Sequence, residues 1–114
     1  MMGEIPVGSA AALAAAGKLS KNLRNEFGHR RLRLRVSSTQ TWAIDASIAD
    51  GPMTALTGGV PITQVTGAAN NTTGTGKFVD IDCGGYSDVF VTVTNTHVSA
   101  AAAIEVVGKF YDPE

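Results

Sequence analysis

Two histidines and one cysteine are the residues of this 114-residue chain that could most readily act as a base or a nucleophile. His29 stands beside a group of arginines, and His97 lies in a segment with the composition of a turn. Catalytic triads assemble in space, so distance along the chain excludes nothing by itself. However, no serine stands in the glycine-flanked pattern of a nucleophile elbow. We therefore expect a protein that is not an enzyme.

A second candidate for chemistry is the segment DIDCGGYSD, residues 80–88. It places Asp80, Asp82 and Asp88 at positions 1, 3 and 9 of a calcium-binding loop. Val91 stands at position 12, where such a loop needs a bidentate glutamate, and the flanking residues alternate as in strands. The other interpretation, that Asp80 and Asp82 share the solvent-facing side of a strand, is favoured. We expect no metal and no other cofactor.

The segment HRRLRLRVSS, residues 29–38, holds the main concentration of charge. On a strand, side chains two residues apart lie about 6.6 to 7 Å apart on one face, close to the spacing of phosphates along nucleic acid. No exposed aromatic residues are interleaved to stack on bases. Arginine also pairs with carboxylates and is frequent in protein interfaces. A protein interface is favoured over a solvated face or a nucleic-acid site. The residues predicted to contact a partner are Leu19, Leu23, Phe27, Arg30, Arg31, Arg33 and Arg35.

The charge of the chain is divided between its two parts. Residues 1–35 hold seven basic and two acidic side chains, a net charge of +5, whereas residues 36–114 hold two basic and eight acidic ones, a net charge of −6. Such a division favours binding to an acidic partner or to further copies of the same chain. We therefore expect a homo-oligomer, and we do not expect nucleic acid as the partner.

The first part of the chain has a helical pattern. Ser9 is suited to begin a helix, and the apolar residues that follow recur at spacings of four, three, four and four. They are Ala12, Ala16, Leu19, Leu23 and Phe27. Because Pro6 indicates an extended segment before the helix, residues 1–30 are predicted to be an arm with one short amphipathic helix.

From residue 31 the apolar period changes to two, which predicts strands. Several short strands without a second helix indicate an antiparallel β-sandwich or a small barrel. The final two strands, within residues 87–112, are expected to form a hairpin with a long loop. The predicted fold is thus all-β, with an N-terminal arm at 1–30 and a β-sandwich domain at 31–114.

The C-terminal stretch SDVFVTVTNTHVSAAAAIEVVGKFYD, residues 87–112, resembles the closing hairpin of bacterial and viral immunoglobulin-like sandwiches. The chain as a whole, short and rich in Ala, Gly, Thr and Val, is similar in style to the capsid decoration or cement proteins of tailed phages. That resemblance implies a non-enzymatic structural protein on the capsid surface of a virion. Its partners would be the major capsid protein or other virion proteins.

An alternative is a carbohydrate-binding or adhesive sandwich module, with the loop 66–77 and Tyr86 or Tyr111 as contact points. The N-terminal part of the chain bears on where the protein is expected to be located, whichever of the two functions it has. The Ala-rich run 10–16 is too short to span a bilayer, which needs about 20 apolar residues. No basic residue precedes Lys18, unlike the start of a secretory signal. We expect synthesis in the host cytoplasm and no membrane contact.

Overall fold

The computed structural model describes residues 3–62, 68–70 and 74–113. These residues form nine strands and a single turn of 3-10 helix at Leu56–Gly58. No helical segment among the described residues is long and apolar enough to cross a membrane. The strands are β1 Ile5–Leu13, β2 Lys18–Arg24, β3 Arg31–Ser38, β4 Trp42–Ala49, β5 Val60–Pro61, β6 Ala68–Asn70, β7 Gly74–Asp82, β8 Asp88–Asn95 and β9 Ala102–Tyr111.

The strands build two antiparallel sheets that pack face to face. Sheet A has the order β1-β9-β3-β7, and sheet B has the order β2-β8-β4-β5, with β6 also paired to β4. The chain passes from one sheet to the other at nearly every connection, which is the arrangement of a jelly roll. The predicted antiparallel β-sandwich is confirmed.

The core lies between the sheets and is built by alternating side chains. Leu32, Leu34 and Val36 of β3 are fully buried, as are Val89, Val91 and Val93 of β8. Trp42, at the start of β4, is also fully buried and is the largest side chain in this layer. Burying such apolar side chains contributes about 1.5 to 3 kcal/mol each. The period of two in the sequence therefore marks the inner face correctly.

The predicted N-terminal helix is wrong. Residues 5–13 form β1, which pairs with β9, and residues 18–24 form β2, which pairs with β8. Between them the chain turns at Ala16, whose φ is 62°, and at Gly17, where a Cβ would lie 2.7 Å from the Ala14 carbonyl oxygen. The alanines of the predicted stripe bury little area, so strand pairing outweighs their helix propensity. Residues 5–13 and 18–24 therefore belong to the sandwich itself, because β1 and β2 are strands of its two sheets.

The immunoglobulin-like C-terminal hairpin is also wrong. β8 lies in sheet B between β2 and β4, whereas β9 lies in sheet A between β1 and β3. The loop 96–101 carries the chain across the sandwich instead of closing a hairpin. Asn95 fixes its start by donating to the carbonyl oxygens of Leu13, Ala14 and Ala100.

Candidate functional site

The sequence-predicted arginines lie on the outward side of sheet A. We call this surface the arginine face; it consists of the outward side chains of β3, those beside them on β7 and β9, and Glu4, which precedes β1 and pairs with Arg35. Arg31 lies between Asp82 and Tyr111 in the register, and Arg33 lies between Asp80 and Lys109. The basic strand is therefore flanked by the strand that holds the acidic segment 80–82.

Asp80 is the centre of the arginine face. Its carboxylate accepts hydrogen bonds from Arg33 at 3.1 and 3.2 Å, from Arg31 at 3.5 Å and from the Tyr111 hydroxyl at 2.5 Å. Partial burial acts to raise the pKa of Asp80, but the hydrogen bonds from Tyr111 and Arg33, with the attraction of both arginines, outweigh it and lower that pKa. Asp80 is thus held ionised and joins three strands.

Arg33 also lies over an aromatic ring. Its guanidinium carbon is 4.8 Å from the centroid of the Tyr111 ring and 6.0 Å from that of Phe78. This geometry suits cation–π attraction. Farther along β3, Arg35 donates two hydrogen bonds to Glu4 at 3.2 and 3.3 Å. The arginines of β3 are therefore oriented by partners within the chain.

Taken together, the arginine face has no net charge. Among the described residues it holds four basic and four acidic side chains. These are Arg31, Arg33, Arg35 and Lys109, and Glu4, Asp80, Asp82 and Glu105. The division of charge along the sequence is thus cancelled by strand pairing. Because affinity for nucleic acid depends on neutralising phosphates, this surface is poorly suited to that partner.

Folding separates the other predicted partner-binding residues. Leu23 is 1% exposed and belongs to the core, and the half-buried Leu19 packs against the same core. Phe27 is 70% exposed, in the turn between β2 and β3. Arg30 is exposed, and its backbone N–H donates to Asp112 at 2.9 Å. Leu19 and Leu23 therefore stabilise the fold and do not form a shared surface with the arginines.

A second surface, which we call the aromatic end, is formed by the turns 25–30 and 83–87. Asn25 joins the two turns and is 2% exposed. Its amide donates to the carbonyl oxygens of His29 at 2.8 Å and Tyr86 at 2.9 Å, and its Oδ1 accepts from the His29 N–H at 3.0 Å. An isolated asparagine gave no signal in the sequence that could have identified this role.

The aromatic end carries two exposed rings and a groove. Phe27 and Tyr86 lie on neighbouring turns, and Tyr86 is 42% exposed. A groove of about 350 Å³ is lined by Asp50, Gly84, Gly85 and Tyr86. The Gly-Gly pair was recognisable in the sequence as a turn, but its proximity to Asp50 depends on the fold.

Both histidines have structural partners. The His29 Nδ1 lies 2.9 Å from Asp112 Oδ2, and this hydrogen bond is the main reason that the pKa of Asp112 is lowered. The His97 Nδ1 accepts hydrogen bonds from the backbone of Ser99 and Ala100. Each ring therefore stabilises a turn.

The acidic residues of the calcium-like segment are separated by the fold. Asp80 lies on the arginine face of sheet A, whereas Asp88 starts β8 in sheet B. Asp88 is 1% exposed and accepts hydrogen bonds from Asn22 at 2.9 Å and Ser87 at 2.6 Å. The described residues contain no group of three or more His, Cys, Asp or Glu residues that could hold a metal ion.

Comparison with known proteins shows the fold. No protein-family model matches this chain, and no curated protein matches its sequence. Among solved structures it is similar to the SPBc2 prophage-derived protein YomS, with a TM-score of 0.50 and 16% identity over 96% of this chain and 93% of that chain. It is also similar to a family two carbohydrate esterase from Cellvibrio japonicus, with a TM-score of 0.51 and 13% identity, over 100% of this chain and 36% of the esterase. This chain thus spans about a third of the esterase but nearly all of the prophage-derived protein.

Proposed function

We propose that this chain is a non-enzymatic structural protein of a phage virion, which decorates or cements the capsid through protein–protein contacts. The observation that carries the proposal is the chemistry of the arginine face. Phe78 is 61% exposed there, and the Arg33 guanidinium lies near both its ring and that of Tyr111. Arginine and aromatic side chains that are enriched in protein interfaces are thereby grouped on one flat sheet. The chain is similar in fold to a prophage-derived protein, and the similarity covers nearly all of both chains. This similarity supports a location in a virion.

In this proposal Phe78 inserts into an apolar depression of the partner, and Arg33 and Arg35 bind carboxylates or carbonyl oxygens around it. Asp80, Tyr111 and Glu4 already orient the guanidinium groups. A side chain that is fixed before binding loses less conformational entropy when the partner docks. The zero net charge of the face favours a protein of mixed charge as the partner over nucleic acid.

The partners proposed are the major capsid protein or other virion proteins, together with further copies of this chain. The mode of attachment differs from the one that the sequence indicated, because β1 and β2 are part of the sandwich and cannot extend away as an arm. We also propose that the protein is synthesised in the host cytoplasm and is finally located on the capsid surface.

Co-sedimentation with purified particles of the source phage tests this function. The wild-type chain is expected to sediment with the particles and to be detected in them by mass spectrometry. Phe78→Ser is expected to weaken this binding at least about tenfold, a loss of about 1.4 kcal/mol. Val98→Ser is the matched control, because Val98 is 93% exposed in the loop between β8 and β9, away from the arginine face. Absence from particles together with no binding at any salt concentration would overturn the proposal.

A further inference from the structure

We propose that the groove at the aromatic end is a binding site for a neutral saccharide. The groove is distinct from the arginine face, because it lies among the turns at one end of the sandwich and not on the outward side of a sheet. Its lining combines an aromatic ring, a carboxylate and bare peptide groups. Its volume of about 350 Å³ lies in the range of about 300 to 1,000 Å³ that is usual for small-ligand pockets.

The turns that form the groove are fixed before any ligand binds. Besides the Asn25 side chain, backbone hydrogen bonds join the two turns: Asn25 donates to Ser87 at 2.8 Å, and Cys83 and Gly84 both donate to the Arg30 carbonyl oxygen at 2.9 and 3.2 Å. A preorganised site avoids the ordering entropy that a flexible loop would lose on binding. The position of Tyr86 is thus set by the scaffold.

The floor of the groove is open because of two glycines. Gly84 and Gly85 have φ values of 59° and 79°, a conformation that favours glycine over any residue with a side chain. Without side chains, their peptide groups remain accessible beside the Tyr86 ring. A ligand can therefore lie close to the backbone while it contacts the ring.

The polar groups of the groove are free to bind a ligand. Within the part of the chain that the structure describes, neither the Asp50 carboxylate nor the Tyr86 hydroxyl has a hydrogen-bonding partner. An ionised carboxylate only accepts hydrogen bonds. It therefore selects a ligand that donates them, and its negative charge disfavours phosphates and acidic sugars. The hydroxyl groups of a neutral sugar are such donors.

The Tyr86 ring supplies the apolar half of the site. A pyranose ring has one face of C–H groups and a rim of hydroxyl groups, so it matches an aromatic ring beside a carboxylate. Tyrosine also has a large apolar surface and a polar tip, which suits an amphipathic ligand at a wet surface. Recognition of a cationic ammonium group uses aromatic rings that enclose the charge. Because Tyr86 is the one ring that lines this groove, a flat sugar fits it better.

A glycan array and calorimetric titration test the proposal on the full chain. The probes are immobilised neutral gluco-, galacto- and manno-oligosaccharides, followed in solution by the oligosaccharide that gives the strongest signal. Binding is expected for at least one of them. Tyr86→Ala is expected to weaken it at least about tenfold, and Asp50→Asn about threefold to tenfold. Tyr86→Phe is expected to keep most of the affinity, because it keeps the ring.

Phe78→Ala is the matched control, since this ring is also exposed but lies on the arginine face. It is expected to leave saccharide binding unchanged. Circular dichroism and thermal unfolding establish that each variant is folded. No binding on the array, equal affinity for Tyr86→Ala and wild type, or binding of choline in place of neutral sugars would each overturn the proposal.

Discussion

The arginine face and the aromatic end differ in how their polar and aromatic groups are engaged. On the arginine face, Arg31, Arg33 and Tyr111 all bind Asp80, and the eight charges sum to zero. At the aromatic end, Tyr86 and Asp50 border an open groove, and within the described residues neither the Tyr86 hydroxyl nor the Asp50 carboxylate has a hydrogen-bonding partner. On the first surface the charged groups are paired within the chain and oriented beside the exposed Phe78 ring, whereas the second surface has unused hydrogen-bonding capacity.

This difference shows that a conspicuous group of charges in the sequence does not reveal which polar side chains remain without a partner after folding. The five arginines of residues 24–35 are the most concentrated group of charges in the sequence. The three that lie on β3 nevertheless form ion pairs within the chain. Phe27 and Tyr86 are separated by 59 positions in the sequence, yet they lie on neighbouring turns at one end of the sandwich. Strand pairing decides which groups remain free.

Removing the Asn25 side chain is expected to have the largest effect on stability, with its local disturbance at the aromatic end. Asn25→Ala removes the amide donor to the carbonyl oxygens of His29 and Tyr86 and the acceptor of the His29 N–H, which lowers the free energy of unfolding by about 2 to 4 kcal/mol. Urea unfolding measures this loss. Cys83, whose thiol donates to the His29 carbonyl oxygen at 3.3 Å, is expected to react faster with a thiol reagent in this variant.

Asn95→Ala is the matched control for that variant, because Asn95 is also fully buried and joins turns at the opposite end. It is expected to lower stability by a similar amount with less effect on the local labelling of Cys83. Equal labelling of Cys83 in the two variants at matched stability would contradict a local role for Asn25.

Neutralising Asp80 is expected to have the next largest effect and to act on the arginine face. Asp80→Asn weakens the four hydrogen bonds that the carboxylate accepts from Arg31, Arg33 and Tyr111. Because the pairs are partly exposed, the expected loss is about 1 kcal/mol, and it decreases as salt rises. Glu105→Gln is the control, an exposed residue of the same face without an ion pair in the described structure. Equal effects of the two substitutions would show that Asp80 does not organise this surface.

Acidification is expected to weaken the arginine face. The pKa of Asp80 in the folded protein is lowered, so its contribution to stability is complete above the unfolded pKa, about 3.9, and is lost as pH falls through the folded pKa. The same sign holds for Asp112, whose pKa is lowered by His29. Unfolding curves below about pH 4 should therefore show a smaller pH dependence for Asp80→Asn than for the wild type.

The smallest expected effect concerns nucleic acid. Because the arginine face is neutral, labelled single-stranded and double-stranded oligonucleotides should show no saturable anisotropy change at about 0.15 M salt. Saturable binding with an affinity that falls steeply with salt would contradict the charge balance described for this surface. If such binding occurs, measuring the affinity of Arg33→Gln for the same oligonucleotides identifies whether β3 contacts the nucleic acid.

The sequence predicted the class of the fold and the inner face of most strands. The period of two from residue 31 predicted one buried side for each strand, and Leu32, Leu34 and Val36 of β3 lie on that side. The same reasoning failed for residues 9–27, where a spacing of four between Leu19 and Leu23 fits a helix face and one side of a strand equally well. Alanine and glycine around them bury too little area to decide between the two.

By itself the sequence therefore determined which side chains are buried within a strand, because alternation is a local property of the extended backbone. Which strands are neighbours was decided by the tertiary structure, since backbone hydrogen bonds carry no information about the residues that they join. Asp80 meets Arg33 across 47 positions, and Asn25 meets Tyr86 across 61. Those two long-range pairings turn a basic segment into a neutral surface, and they bring the turns of the aromatic end together.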